Sequence, residues 1–470
     1  MQGWLRKKSF DALERMDSAD RLKQTLSWPH LIALGVGAIV GTGIYTLIGV
    51  GAGLAGPGVL LSFAIAGAVC VCAALCYAEM ATMIPAAGSA YTYSYTVLGE
   101  TLAWIVGWSL ILEYTVVCSA VAVGWAGHAV EFVHAYHWPI PEALLAGPGT
   151  PGGFINLPAV LITFLVAGFL IAGTRESATI NIALVAIKLV ALAAFVGFAL
   201  PGFNAAHFTP FMPNGFSGHA ADGTKVGVMA AASIIFFAFY GFDAVSTAAE
   251  ETKNPARDLT IGIIGSMVLC VAIYMIVAVA AIGAVAPALF AKSPAPLVFV
   301  LDQLKQPTAA KLVAAAAVVA LPTVILAFMY GQSRIFFVMA RDGLLPRRLS
   351  RVNAKTGTPV LMTVVTAVVA AALAGAFPLD LIAALANAGT LCAFVATIAC
   401  VVVMRLRDPG RVRVFKVPLW PVVAIIGIPG CLYLFTTLPD LTIKLFFAWN
   451  ALGLVIYALF SRRSSVLAKA

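Results

Sequence analysis

The sequence predicts an all-α polytopic membrane protein of about twelve transmembrane helices. Three observations carry that reading. Hydrophobic residues make up 61% of the 470-residue chain and charged ones only 10%, a balance foreign to soluble globular domains. Apolar runs long enough to cross a bilayer as helices recur from end to end. Lysine and arginine are segregated. With the N-terminus inside, 23 of the 29 fall on inner segments, five fall on outer ones, and Lys188 stands alone near mid-membrane. That bias orients both termini to the cytoplasm. It also makes the net charge of +9 a matter of topology rather than of nucleic-acid binding.

Residues 1–27 are polar and basic. Phe10, Leu13, Met16 and Leu22 recur at roughly helical spacing there, so the segment reads as a cytoplasmic amphipathic helix on the bilayer surface or as a solvated tail. Spans then follow at about 30–53, 58–83, 101–127, 156–173, 179–200, 228–250, 259–286, 311–340, 358–376, 381–404, 418–437 and 441–461. Two further runs suggest partial helices, one from Pro85 to Val97 along the inner face and one from Ala295 to Gln303 outside. The first run is too long for a signal peptide and is kept as a span. All eight cysteines fall within apolar runs, which points to reduced thiols without a disulfide.

Spans 1–5 (28–200) and 6–10 (228–404) are odd-numbered blocks, so a structural repeat between them has to be inverted, with 418–461 as two accessory spans and 462–470 as a cytoplasmic tail. Span 1 contains Gly35-Val36-Gly37-Ala38-Ile39-Val40-Gly41-Thr42-Gly43. Glycine disfavours a helix interior by about 0.5–1 kcal/mol relative to alanine. In lipid an unwound backbone survives only where it lines a cavity or is buried in protein. Gly41, Thr42 and Gly43 therefore read as a helix break whose amides hold an anion, with close helix packing as the alternative. Span 6 carries Phe236-Phe237-Ala238-Phe239-Tyr240-Gly241-Phe242-Asp243 at the matching position. Amides at one break suit a carboxylate and carbonyls at the other suit an ammonium group. Together they fit a free α-amino acid, with the phenylalanines either closing over it or merely packing.

Ionisable groups at membrane depth are costly and need a reason. Lys188 has no acid near it in sequence, and an amine stripped of water is a candidate proton carrier or a structural donor to carbonyls. Glu113 and Asp243 are candidates for binding a substrate cation, carrying a proton or satisfying freed amides, the last favoured for Asp243. Glu79 is expected to pair with a cytoplasmic arginine. Glu250, Glu251, Lys253 and Arg257 read as a solvated inner mouth or a gate. His128, His134 and His137 are placed in one outer loop, as solvated residues rather than metal ligands. No phosphate-binding loop and no dinucleotide fingerprint is present, so neither an enzyme nor an ATP-driven pump is indicated.

Several motifs stand out: Gly35 to Tyr45, Glu79-Met80 with Pro85-x-x-Gly88-Ser89-Ala90-Tyr91, Trp108 to Tyr114, Phe239 to Asp243, Glu250-Glu251-x-Lys253-Asn254-Pro255, and Met339-Ala-Arg-Asp342-Gly343-Leu-Leu-Pro346. In these the chain resembles the amino acid–polyamine–organocation superfamily, and within it the bacterial branch of the cationic amino acid transporter family. The resemblance implies the leucine-transporter fold of two inverted five-helix repeats and two extra helices, with spans 1 and 6 interrupted. It implies an L-amino acid whose carboxylate lies on the amides of Gly41, Thr42 and Gly43, beside Ile39. Its amine would meet carbonyls around Phe237, Ala238 and Tyr240, next to Phe236, with Phe237 as an aromatic lid. Lys188 matches a lysine that stands where sodium-coupled relatives bind their ion, which implies proton coupling. Glu113 and Asp243 match acidic positions of this branch, and span 8 near Phe328 and Met329 bounds the space for the side chain. The expectation is a proton-coupled amino-acid permease of the inner membrane, working in the lipid bilayer by alternating access without cofactor, metal or nucleic acid. An exchanger, a sodium symporter and a non-transporting sensor are the alternatives. No small membrane partner is identified by the sequence.

Overall fold

The computed structural model describes residues 6–8, 22–135, 138–148, 152–220, 223, 225–293, 295–353 and 356–469. Most of the expected amphipathic helix lies outside them, and 22–25 are not helical. Span 1 is two helices, Trp28–Ile39 and Ile48–Ala55, separated by a break at 40–42 and a π-helical turn Gly43–Leu47. Span 2 is Val59–Met83, and a short helix Ser89–Val97 leads into span 3, Glu100–Ala135. Spans 4 and 5 are Leu157–Ala172 and Thr174–Ala199. Gly173, at φ 149°, makes the abrupt turn between them.

Span 6 runs as Val228–Ile235, then a 3₁₀ turn Phe236–Ala238, then Asp243–Thr247 and a last turn Ala249–Glu251. Span 7 is Pro255–Ala284 and is followed by the short helices Pro287–Phe290 and Pro296–Gln303. Spans 9 to 12 are Val360–Ala376, Leu379–Arg407, Trp420–Thr436 and Asp440–Ile456. The small exception to an all-α fold is an antiparallel pairing of Gly218–His219 with Lys225–Val226 in the loop before span 6.

Among the described residues eight stretches are long and apolar enough to cross a membrane, and one of them, Trp28–Met83, holds both span 1 and span 2. Spans 4, 9 and 11 are shorter apolar helices. The molecule is thus a multi-pass membrane protein. Spans 1 and 2 pack on span 7, span 3 packs on spans 8 and 10, and spans 4 and 9 pair to one side. Prolines start many of these helices, at 158, 255, 307, 322 and 421, where the missing N–H removes no helical hydrogen bond.

One expectation about the spans needs correction. Span 3 continues to Ala135, so His128 lies on a helix, 5% exposed, rather than in a loop. A polar residue lowered the local hydropathy there without ending the helix. The side chains of His134 and His137 lie outside the described set. Span 8, expected over 311–340, is the apolar stretch Pro307–Arg341, made of two helices, Pro307–Ala320 and Pro322–Arg341, since Pro322 has no N–H to continue the first.

The face of the bundle that carries the Arg- and Lys-rich loops, here the basic face, is tied by buried ion pairs. Glu79, fully buried on span 2, accepts from Arg405 at 2.6 Å, Arg413 at 3.1 Å and the Val417 amide at 2.7 Å. It pins the loop between spans 10 and 11 to span 2, as its position suggested. Removing one partner strands a buried charge, so Glu79→Ala is expected to cost about 3–5 kcal/mol. A thermal unfolding midpoint in detergent equal to that of the parent would refute this role.

Candidate functional site

A helix that stops half way through a bilayer leaves carbonyls at one end and amides at the next start without partners. In span 1 the stop is Val40, whose backbone is extended at φ −75°, ψ 98°. The freed carbonyls are met by three other spans. Tyr274 of span 7 donates to the Ile39 carbonyl at 2.6 Å. Lys188 of span 5 donates to the Gly37 carbonyl at 3.1 Å, to the Val40 carbonyl, and to the Thr323 hydroxyl at 2.7 Å. Thr323, at the start of the second helix of span 8, donates in turn to Gly37 at 3.0 Å. Lys188 is completely buried, and these three acceptors use all three ammonium protons. A cation also complements the negative end of the first half-helix.

Span 6 breaks at Gly241, held at φ 120°, a conformation that side chains disfavour. Asp243 accepts from the Gly241 amide at 3.1 Å and from the Tyr114 hydroxyl of span 3. Its carboxylate sits where the second half-helix begins, the end that favours negative charge. That is the local backbone role favoured for Asp243 by its position.

The two breaks touch each other. A Cβ added at Gly43 would lie 2.3 Å from the Ala238 Cβ, and one at Gly241 would lie 2.9 Å from the Ala38 Cβ. Each break therefore uses a glycine to admit an alanine of the other helix. Gly41 faces Val324 of span 8, and Thr42 packs against Gly124 of span 3. Of the aromatic run, Phe239 packs on Phe63 and on Tyr274, and Phe242 on Tyr77 and Phe394. Phe236 edges on Phe394 as well as Tyr240. Phe237 and Tyr240 face each other with centroids 5.0 Å apart, and Tyr240 meets Phe328, which also meets Tyr114. At 8% exposure Phe237 is the most accessible of the candidate side chains.

Glu113 is fully buried and accepts from Thr390 of span 10 at 2.6 Å. It lies within electrostatic range of both Asp243 and Tyr240. Among the described residues, three buried polar atoms around the breaks have no partner: the Thr42 hydroxyl, the Tyr240 hydroxyl and the second Glu113 oxygen. Buried polar atoms are normally satisfied, so these three remain available to a further polar partner.

Toward the basic face the breaks are sealed rather than open. Glu251 is 1% exposed and pairs with Arg334 at 2.8 Å and with the Tyr330 hydroxyl at 2.8 Å. Glu250 holds Arg341 at 2.6 and 2.9 Å and accepts from the Ala87 amide at 3.1 Å. Lys8 reaches Asp342 at 2.5 Å, and Tyr91 donates to the same carboxylate at 2.9 Å. Leu26 bridges to Thr252, laying the segment before span 1 across the end of span 6. Glu251 is thus paired and buried and Glu250 paired and partly buried, not a solvated mouth, whereas Lys253 and Arg257 are exposed.

The candidate residues of spans 1, 5 and 6 are brought together. Glu113 joins them from the flank, where its hydrogen bond goes to span 10. Tyr114 closes a motif that stands out in the sequence but is given no role there, and Tyr274 and Thr323 are not singled out at all. A signal existed for Thr323, which follows the proline that interrupts span 8. Tyr274 is one hydroxyl in an otherwise apolar run, and nothing local distinguishes it.

Comparison with known proteins places these features in context. A family model described as amino acid permease matches residues 26–459. A branched-chain amino acid permease of Bacillus subtilis is 42% identical over 98% of both chains. A methylthioribose transporter of the same organism is 38% identical over the full length of both. A vacuolar cationic amino acid transporter of Arabidopsis thaliana is 37% identical over 87% of this chain and 64% of its own.

Proposed function

The chain belongs to the amino acid permease family, and from that premise we propose that it is a secondary active transporter of L-amino acids working by alternating access. The observation that carries the reading is the contact of the two helix breaks, Gly43 on Ala238 and Gly241 on Ala38, beside the unpartnered Thr42 and Tyr240 hydroxyls. The substrate carboxylate lies on the amides of Gly41, Thr42 and Gly43, and its amine meets carbonyls of Phe237, Ala238 and Tyr240. Ile39, Phe236 and Glu113 flank the bound molecule, Asp243 fixes the span 6 break, and Phe237 closes over the substrate. The inverted-repeat division into 28–200 and 228–404 accounts for the two breaks at matching places.

Asp243 is engaged by Tyr114 and Gly241, and Glu113 by Thr390. Asp243, the acid at the break, is already engaged by two donors, which favours a neutral side chain over a cationic one, in keeping with the branched-chain permease at 42% identity. Lys188 couples transport to a proton. Its ammonium bonds to the Gly37 and Val40 carbonyls hold the span 1 break in shape, and loss of its proton withdraws one of three donors. The protein sits in the inner membrane with both termini cytoplasmic, because the basic loops share one face. The ion pairs of Arg334, Arg341 and Lys8 then form a closed inner gate.

Purified protein in liposomes, given labelled leucine or arginine under imposed pH or sodium gradients, tests all of this. Leucine accumulation driven by an inward proton gradient and indifferent to sodium is the expected result. Uptake that needs internal amino acid and ignores the pH gradient makes it an exchanger. Binding without uptake makes it a sensor.

A further inference from the structure

The motif 339–346 takes no part in the substrate site, yet it borders a cavity of about 360 Å³ on the basic face. One wall is Gly343, Leu345, Pro346 and Arg347, and the other is Phe460, Ser464 and Val466 from the end of span 12. The two walls are joined at their base. Ser464 donates to the Gly343 carbonyl at 2.7 Å, and the Val466 amide to the Asp342 carbonyl at 3.0 Å. Gly343 is at φ 78°, and a Cβ there would lie 2.6 Å from the Ser464 carbonyl oxygen. The cavity is a built joint rather than a gap between loose tails.

Its chemistry is two-sided. Residues 343–357 supply Arg347, Arg348, Arg351 and Lys355, residues 456–470 supply Arg462, Arg463 and Lys469, and neither segment contains an acid. Arg347, Arg348, Arg351 and Arg463 are exposed. On the apolar side Phe460 is 46% and Val466 43% exposed, and Leu459 beside them is 71% exposed. Arg347 in the lining, with further exposed arginines adjacent in the chain, opposite an exposed apolar wall past the end of a transmembrane helix, matches a phosphate headgroup with acyl chains. A soluble anion would have no use for Phe460 and Leu459.

We propose that this cavity binds an anionic phospholipid of the inner leaflet, its phosphate on Arg347 and Arg348 and its chains along Phe460 and Leu459. The site rests on the inward orientation of the basic face proposed above and not on the identity of the substrate. Because Asp342 also holds Lys8, the lipid braces the same loop that closes the basic side.

The test is thermal unfolding of the full chain in detergent, titrated with phosphatidylglycerol, with phosphatidylcholine or with inorganic phosphate. Phosphatidylglycerol is expected to raise the midpoint by several degrees over phosphatidylcholine. The double variant Arg347→Gln, Arg348→Gln is expected to keep the midpoint in phosphatidylcholine while weakening the phosphatidylglycerol response roughly thirtyfold in concentration. An equal response in the variant, or no difference between the lipids, overturns the site. The same shift with inorganic phosphate overturns the lipid assignment. None of these outcomes depends on transport.

Discussion

Gly43→Leu is expected to abolish amino-acid binding while leaving the protein inserted and folded, and Gly43→Ala to weaken it severely. An alanine Cβ at this position would lie 2.3 Å from the Ala238 Cβ and 2.4 Å from its Cα. The obstacle is backbone of the other broken helix, not the end of a flexible side chain, so the two breaks have to separate. Overpacking of this kind typically costs about 1–3 kcal/mol, spent on the geometry that aligns the amides. A matched control is Gly168→Ala or Gly197→Ala, where an added Cβ meets nothing within 4 Å. There the helix gains about 0.5–1 kcal/mol and binding is unchanged. Parental affinity in Gly43→Leu, measured by equilibrium binding of labelled substrate, would falsify the helix-break site.

The second large effect belongs to Lys188. Lys188→Ala takes donors from the Gly37 and Val40 carbonyls at once and leaves only Thr323 to serve Gly37. Hydrogen bonds from a charged donor contribute about 1.5–3 kcal/mol each, so pH-driven accumulation is expected to fall by at least about a hundredfold. Structural loss is separated from coupling by Lys188→Arg, since a guanidinium donates like the amine but keeps its proton. That variant is expected to bind substrate and to lose the dependence of uptake on the proton gradient. Full pH-driven accumulation in Lys188→Ala removes Lys188 from the coupling.

Much of this architecture is legible in the sequence because the bilayer imposes it. Twenty-residue apolar runs and the distribution of arginine mark spans without any knowledge of packing. The breaks at Gly41–Gly43 and Phe236–Asp243 were visible because glycine and aromatic clusters contradict an uninterrupted helix. What the sequence hid is who answers the freed carbonyls. Lys188 announces itself by charge, but Tyr274 and Thr323 do so only through contacts across 235 and 286 residues. Within the span 8 stretch, hydropathy passes over Pro322, where the helix restarts, because the residues on both sides, 312–321 and 324–330, are apolar runs. Glu250 and Glu251 looked solvated because acidic residues at a span end usually are. Their arginines lie on span 8, too far along the chain for a local reading.

The satisfied carbonyls of span 1 also bear on how the chain is made. Span 1 is translated before each of the spans that supply these donors. Its Val40 carbonyl waits 148 residues for Lys188, Ile39 waits 235 for Tyr274, and Gly37 gains Thr323 only after 286. Until span 8 has been threaded, span 1 lacks part of its native donor set. Span 1 therefore matures well after it is translated, and biogenesis has to shelter an unfinished helix while the 286 residues between Gly37 and Thr323 are added.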